Sequence, residues 1–585
     1  MHLSRAGRLL QETVVGLLAS LGFALAFSYW ILRNISGLGL DHDWDYAMEM
    51  QWAPFYTVTH FHEFPLWDPY KCGGTPLLGN PQSRILTPWF LFHLLFGPLI
   101  GIHLEIIAHL VVGFGGAYLL ARLLEIGKLG AIACGAVFAG SSSYYLHLAP
   151  GHATFMSGMY APCIVALFWT GWQRRSLTWA APTGLMMALI FFEGGIYQTP
   201  YVGLVLSVLA VGLAAQYRSI FPLALLAVTG IFTAMFAAPK LLPLFHFMGP
   251  YGRYVDPFEA NSFSMFIQEL FSRDQFFSRD SMGGFWGFWE FGAYIGVIFA
   301  LLAMIGIALR FWRSIPWSVT ALVLLALAAG NHGNYSPWVL LHPLPIFSAQ
   351  HAPTRMLMLF ALCVGILAGF GIDALCSLRR VWLTGLVAII TLIGIIDTWM
   401  VSTPNSRYLL GGGDQRTFEP SSIFKQAYLP ENNRMFMMAQ ANLGVVNCYE
   451  PASAARNVFG YNVNGYRGEQ YLLGNGAVSL ARWTPDILDY DIDARSPATL
   501  VINQNYDTEW KVNQGRGELF KRNGLLAVEV PAGKQRLELS YHSTSFFHGC
   551  LIFLVGLIAT VWLYLIQRVW RTADRTSARV GSWTP

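Results

Sequence analysis

The chain has 585 residues, of which 54% are hydrophobic, 15% aromatic and only 12% Asp, Glu, Lys or Arg. Soluble proteins carry about 25% of those charged residues, so half of the usual charge is missing, and a globule so composed would expose apolar surface almost everywhere. That excludes a cytosolic enzyme, a disordered chain and a nucleic-acid binder, and describes a polytopic membrane protein whose net charge of +4 matters less than where its positive residues sit.

Arg5 and Arg8 precede an apolar run that reaches about Leu32. The run is too long for a signal-peptide core and no small-residue cleavage site follows it, so a retained anchor is expected. Crossing a bilayer takes about 20 apolar residues. That rule predicts spans near 12–33, 98–121, 129–147, 155–172, 177–196, 199–215, 220–238, 287–309, 316–330, 356–377, 381–400 and 546–567, about twelve in all. Lys and Arg gather in short cytoplasmic loops. With the N-terminus inside, those loops hold Arg122, Lys128, Arg174, Arg175, Arg218, Arg310, Arg313, Arg379 and Arg380, and the tail holds Arg568, Arg571, Arg575 and Arg579. Both termini are therefore expected in the cytoplasm. The long segments 34–97, 239–286, 331–355 and 401–545 then lie outside. The cytoplasmic loops are too short to build a nucleotide-binding domain, so chemistry is expected at the outer face.

The segment 401–545 differs in composition. Thr499–Asn503, Leu525–Val530 and Arg536–Tyr541 are rich in β-formers, and Asn523-Gly524 is a tight-turn signal between strands. The expected organisation is a transmembrane domain over 1–400, an extracytoplasmic mixed or β-sandwich-like domain over 401–545, and a last span with a basic tail over 546–585. Strands are expected at least over 495–545, with Trp510 buried in their core. Of the seven cysteines, only Cys72 and Cys448 fall in long polar stretches, which leaves one disulfide open and requires none.

The first outer loop is the richest segment. It opens with Asp41-His42-Asp43-Trp44-Asp45-Tyr46 and Glu49. Carboxylates at a membrane surface can take a proton from a sugar hydroxyl or hold a divalent cation, and they can equally form a solvated cap. Farther on, Phe64 to Ser83 is dense in Pro and Gly, so its backbone turns rather than forming a helix. Trp67 and Tyr70 suit a membrane interface or a sugar-stacking platform.

The run from Asp43 through Gln82, followed by Ala149-Pro-Gly-His152, Phe192-Glu-Gly-Gly-Ile-Tyr197 and His351-Ala-Pro-Thr-Arg355, resembles the bacterial YfhO-like membrane proteins. Asn505-Tyr506, Trp510, Asn523-Gly524, Pro531 to Lys534 and Tyr541 extend the resemblance to the last span, with one departure: Glu509 stands where a glycine is expected. The resemblance implies a GT-C glycosyltransferase fold, a catalytic acid in the first outer loop, a polyprenyl-phosphate-linked sugar as donor, and a bacterial inner-membrane location. By that resemblance Asp45 is the first choice for the base and Asp43 the second, and one of them is expected to have its pKa raised by the neighbouring like charge.

A lipid-linked donor needs cations for its phosphate, and an arginine fork donates two hydrogen bonds to one. Arg355, Arg253, Arg84 and Lys240 are the candidates, each weighed against a snorkelling or interfacial role. Glu193 sits near the outer end of an apolar helix, where an acid is a functional candidate, and His152 can bind phosphate or hydroxyl or serve as a structural hydrogen-bonding group. His103 and His109, six apart with Glu105 between them, are a poor helical pair for a metal or haem, and His60 and His62 form no recognisable metal site. No metal is assigned. Three functions fit this reading. The first is an inverting-type glycosyltransferase acting on membrane-borne donor at the outer face. The second is a non-catalytic structural subunit of a larger membrane complex on the same fold, and the third, a transporter, lacks paired broken helices or midplane charge pairs.

Overall fold

The computed structural model describes residues 5–35, 37–39, 43–250, 252–275, 287–409, 418–429, 434–448 and 457–580. Asp41 and His42 of the acidic run lie outside them.

The chain is a multi-pass membrane protein. Among the described residues, nine helices are long and apolar enough to cross a membrane, and three shorter apolar helices lie where the first, fifth and eighth spans are expected. Their burial sorts them into inner and outer positions. The segments Lys128–Leu148 and Pro353–Cys376 are 89% and 83% buried, whereas Val381–Asn405 and Thr544–Val569 are only 22% and 11% buried. Helices that apolar and that exposed have lipid as their partner. The inner helices pack through small residues. A Cβ on Gly306 would collide with the Leu367 carbonyl, and one on Gly371 with the Leu302 carbonyl, so the helices Val297–Leu309 and Leu357–Cys376 touch backbone to backbone.

Several span boundaries differ from expectation, and the eighth helix, expected from 287, begins only at Val297. The helix expected at 98–121 runs from Phe90 to Leu123, broken at Gly97 before Pro98. The helix expected to stop at 238 continues through Pro239 and Pro243 to Met248. Proline removes single helix bonds, which neighbouring helices in a membrane bundle tolerate.

The segment 34–97, expected as the first outer loop, is itself structured. It holds a helix Asp43–Tyr56, a π-helical turn Thr57–Phe61, and a two-strand ladder of β1 (Trp67–Asp68) and β2 (Thr75–Pro76). After the last of the inner helices, β3 (Lys425–Ala427) pairs in parallel with β4 (Leu443–Val445) around a short helix Met435–Gln440. Eight antiparallel strands follow: β5 (Gln470–Leu473), β6 (Gly476–Trp483), β7 (Ile487–Ala494), β8 (Ala498–Asn505), β9 (Trp510–Gln514), β10 (Glu518–Arg522), β11 (Leu525–Val530) and β12 (Gly533–Tyr541). They form two four-stranded sheets, β10-β11-β8-β5 and β6-β7-β12-β9. The strands begin at Gln470, so the sheets extend beyond the expected minimum of 495–545 to include β5, β6 and β7, the last of which turns Leu488, Tyr490, Ile492 and Ala494 inward.

The sandwich core includes Trp510, 3% exposed, with Tyr490, Leu537 and Leu539. Trp67 of the first outer loop enters the same core, edge-on to Trp510 at 5.4 Å between ring centroids. Asp486 accepts hydrogen bonds from the backbone N–H of Trp67 and Leu66 at 2.7 and 3.3 Å. A disulfide joins Cys72 to Cys448, and Lys71 bridges to Val445, so the loop is fastened to both parts of the later segment. Glu509, the departure from the expected glycine, accepts from the Ser545 N–H at 2.7 Å at the start of the last helix. There a carboxylate faces the partial positive charge of a helix N-terminus.

Candidate functional site

The helix Asp43–Tyr56 is seated on the turn Pro150-Gly151-His152. The Asp43 N–H donates to the Pro150 carbonyl at 2.8 Å, and the Trp44 indole N–H to the Leu148 carbonyl at 2.8 Å. Gly151 has φ +100°, and any Cβ there would strike the Trp44 backbone nitrogen. Only glycine lets the two segments approach this closely.

Three of the eight candidate residues, Asp43, His152 and Arg355, come together there through Glu290. Asp43 is 46% exposed in its side chain, and its Oδ2 lies 3.5 Å from His152 Nε2. On the other side of the ring, His152 Nδ1 is 3.0 Å from His147 Nδ1 and 3.9 Å from Glu290 Oε1. Glu290 accepts two hydrogen bonds from Arg355, Nε and Nη2 each at 2.6 Å, and the Thr354 hydroxyl donates to the Glu290 carbonyl. The guanidinium also lies over the Tyr197 ring at 4.3 Å, and the Tyr197 hydroxyl meets His351 Nδ1 at 3.0 Å. Burial alone would push Glu290 up, but Arg355 and the two histidines hold its carboxyl below the usual range. His351 is pushed down by burial first and then by Arg355, and the exposed Arg253 adds to that field. The result is a half-open carboxylate beside an imidazole, backed by guanidinium charge.

Asp45 does something else. Two positions along a helix from Asp43, it points elsewhere. It is 1% exposed and its two oxygens accept from the backbone N–H of Met435 and Phe436 at 2.7 and 3.0 Å. It caps the short helix Met435–Gln440 from outside. Its pKa is raised to about 6 by burial, not by a like charge; the Phe436 and Met435 N–H groups and Arg434 work against that rise. Glu49, one turn farther on, is fully buried and pushed well up by burial, with Asp68 adding to it. The three acids therefore do not act as one cluster.

The remaining candidates form a second, fully buried network. Arg84 pairs with Glu105, which also meets His93 at 3.1 Å. Glu193 accepts from the Tyr160 hydroxyl at 2.7 Å and contacts His109 Nε2 at 2.7 Å, and the Trp89 N–H donates to Tyr160 at 2.6 Å. His109 Nδ1 donates in turn to the Glu105 carbonyl at 2.8 Å. The Lys240 ammonium donates to the carbonyls of Pro81, Ser83, Phe191 and Phe192 between 2.6 and 3.4 Å. Glu193 and Lys240 are spoken for, whereas Arg84 uses only Nη2 on Glu105 and its buried Nε and Nη1 meet no partner among the described residues. Arg84, Glu193 and Lys240 at 4%, 0% and 1% exposure cannot reach a donor phosphate while these bonds hold, and Arg355, whose fork is occupied by Glu290, is a holding group rather than a free phosphate ligand. The sequence reading missed Glu290, whose signal was an acid inside the span expected at 287–309, and missed His147, which a five-residue spacing from His152 does not reveal.

Among the described residues, His147, His152 and Glu290 offer ligand atoms within 4.8 Å of one another. They do not fit a divalent cation. Glu290 is already bidentate to Arg355, and the guanidinium would repel a metal beside it.

No protein-family model matches the chain, and no curated protein sequence matches it. Among solved structures, the chain is similar to the arabinofuranosyltransferase AftD from Mycobacteria, at 16% identity and a TM-score of 0.41, over 76% of this chain and 32% of that one. It is also similar to the Archaeoglobus fulgidus oligosaccharyltransferase in its apo form, at 12% identity and a TM-score of 0.43, over 76% of this chain and 65% of that one. The chain thus spans about a third of the length of AftD and just under two thirds of the oligosaccharyltransferase.

Proposed function

We propose that the chain is a GT-C-type membrane glycosyltransferase of the YfhO-like kind, moving a sugar from a polyprenyl-phosphate donor to an acceptor hydroxyl at the extracytoplasmic face of a bacterial inner membrane. The observation that supports this most directly is the Asp43 carboxylate, open on one side and facing His152 on the other, with Arg355 behind Glu290 and the charge of Arg253 reaching His351. In this reading Asp43 takes the acceptor proton as its oxygen attacks the anomeric carbon, and His152 orients the carboxylate. The bond to the phosphate oxygen breaks as the new glycosidic bond forms, and exposed Arg253 meets the charge that gathers on the departing phosphate. The expected order of the two acids is thereby reversed, because Asp45 is enclosed and bonded to backbone.

Transfer of radiolabelled sugar from polyprenyl-phosphate hexose or pentose by the chain in lipid nanodiscs tests the proposal. Asp43→Asn keeps size and loses charge, so transfer should fall about a hundredfold or more while donor lipid still binds. Unchanged transfer in that variant removes Asp43 from the chemistry. A wild-type chain that transfers nothing, yet copurifies with stoichiometric partner subunits, turns the reading toward a non-catalytic membrane subunit.

A further inference from the structure

A second site lies in the sandwich, apart from Asp43 and sharing no residue with it. Where β5 and β6, edge strands of opposite sheets, splay apart, they leave a cleft of about 550 Å3 closed on one side by Ile423–Lys425. That volume falls within the roughly 300–1,000 Å3 of small-ligand sites. One wall is aromatic: the Phe424 and Trp483 rings stack at 4.7 Å with 13° between their planes, and Tyr490 lies farther in. Polar groups complete the lining. Gln504 is 5% exposed, and its Nε2 has no hydrogen-bond partner among the described residues, although its Oε1 accepts from the Trp67 indole at 3.3 Å. A buried amide donor left without a partner is destabilising unless a ligand meets it.

The Glu469 carboxylate beside it accepts from the Gln426 N–H, the Tyr466 hydroxyl and Asn503 Nδ2, which leaves one lone-pair direction open. Burial raises its pKa to about 7, so it can accept or donate near neutrality. Among the described residues, the lining has one cation, Lys425, one carboxylate, Glu469, and no guanidinium. It is poorly suited to phosphate and too polar for an acyl chain. A flat aromatic wall together with planar amides and a carboxyl suits a ring with an apolar face and hydroxyls at its rim.

We propose that this cleft binds a neutral oligosaccharide, with a sugar ring against Trp483 and its hydroxyls hydrogen-bonded to Gln504 Nε2 and Glu469. On the proposed function it would hold acceptor glycan, but the binding itself needs no donor lipid and no transfer.

The test is an array of immobilised short oligosaccharides, neutral and acidic, probed with the full-length chain in lipid nanodiscs, followed by titration of the best-retained glycan in solution. Gln504→Glu keeps the oxygen that accepts from Trp67 and removes the free donor; it should weaken neutral-glycan binding about tenfold. Trp483→Ala should weaken it by at least as much, and because Trp483 also packs on Phe61 and Phe424, the Gln504 variant with an unchanged melting temperature is the deciding one. Retention of neutral glycans that both variants weaken supports the inference. Retention of acidic glycans alone, no retention, or equal affinity in wild type and Gln504→Glu overturns it. A chain that binds glycan but transfers no sugar upholds the cleft and sinks only the transferase reading.

Discussion

Asp43 and Asp45 show how two residues of one type, two positions apart, are given different work. On a helix their side chains diverge by about 200°, so one faces the turn at His152 and the other the backbone of Met435 and Phe436. The pH consequence follows from burial. An unfolded aspartate loses its proton near pH 4, while Asp45 in the folded chain keeps its own to about 6. Between those values the unfolded state binds fewer protons, so the contribution of Asp45 to stability falls as pH rises from about 4 to about 6 and is level above that. Melting temperatures of wild type and Asp45→Asn across this window should differ in slope, with the variant flatter. Parallel slopes would show that Asp45 titrates as an ordinary surface acid.

At the scale of elements, the site depends on irregular segments held by regular ones. Ala153–Tyr160 is eight residues of 3-10 helix, longer than the three or four such runs usually reach, and stretches of this kind often mark functional sites. It begins beside His152 and ends at Tyr160, so it joins the half-open site to the buried Glu193 network. The helices behind it are fixed by close packing. Gly371→Ala should lower stability by about 1–3 kcal/mol, because the new methyl meets the Leu302 carbonyl and the two backbones must part. Gly385→Ala provides the contrast. Nothing lies within 4 Å of its added Cβ, and replacing a helical glycine there should stabilise by about 0.5–1 kcal/mol. Thermal unfolding in detergent reads both, and equal effects would mean that the glycine contact is not tight.

For the molecule as a whole, the Cys72–Cys448 disulfide connects the first outer loop to a segment 376 residues later, with Cα atoms 5.1 Å apart. Disulfides persist in oxidising compartments, and these two segments are the ones that the basic-loop pattern leads one to expect outside. Peptide mapping without reductant should recover the linked pair, and Cys72→Ser with Cys448→Ser should cost about 2–4 kcal/mol of stability. Membrane-impermeant thiol reagents should label single cysteines introduced at exposed positions of 495–545 from outside and those in the loops around Arg174 and Arg379 from within. The opposite pattern would invert the topology and move the proposed chemistry with it.

By itself, the sequence determined what period, composition and charge carry. Apolar runs of span length, arginine at their ends, and alternating β-formers over 495–545 are local properties, and the helices and sandwich stand where those signals lie. The sequence also brought Asp43, His152 and Arg355 to notice as types suited to phosphate and hydroxyl chemistry. Tertiary structure decided which of the marked residues are free. Lys240 and Arg84 read as phosphate ligands in the sequence because their charge is visible there, whereas the carbonyls and the carboxylate that occupy them come from elements tens to more than a hundred residues away. Glu290 and Trp67 were hidden for the same reason: what each does depends on a partner, Arg355 or the sandwich core, that only folding brings within reach.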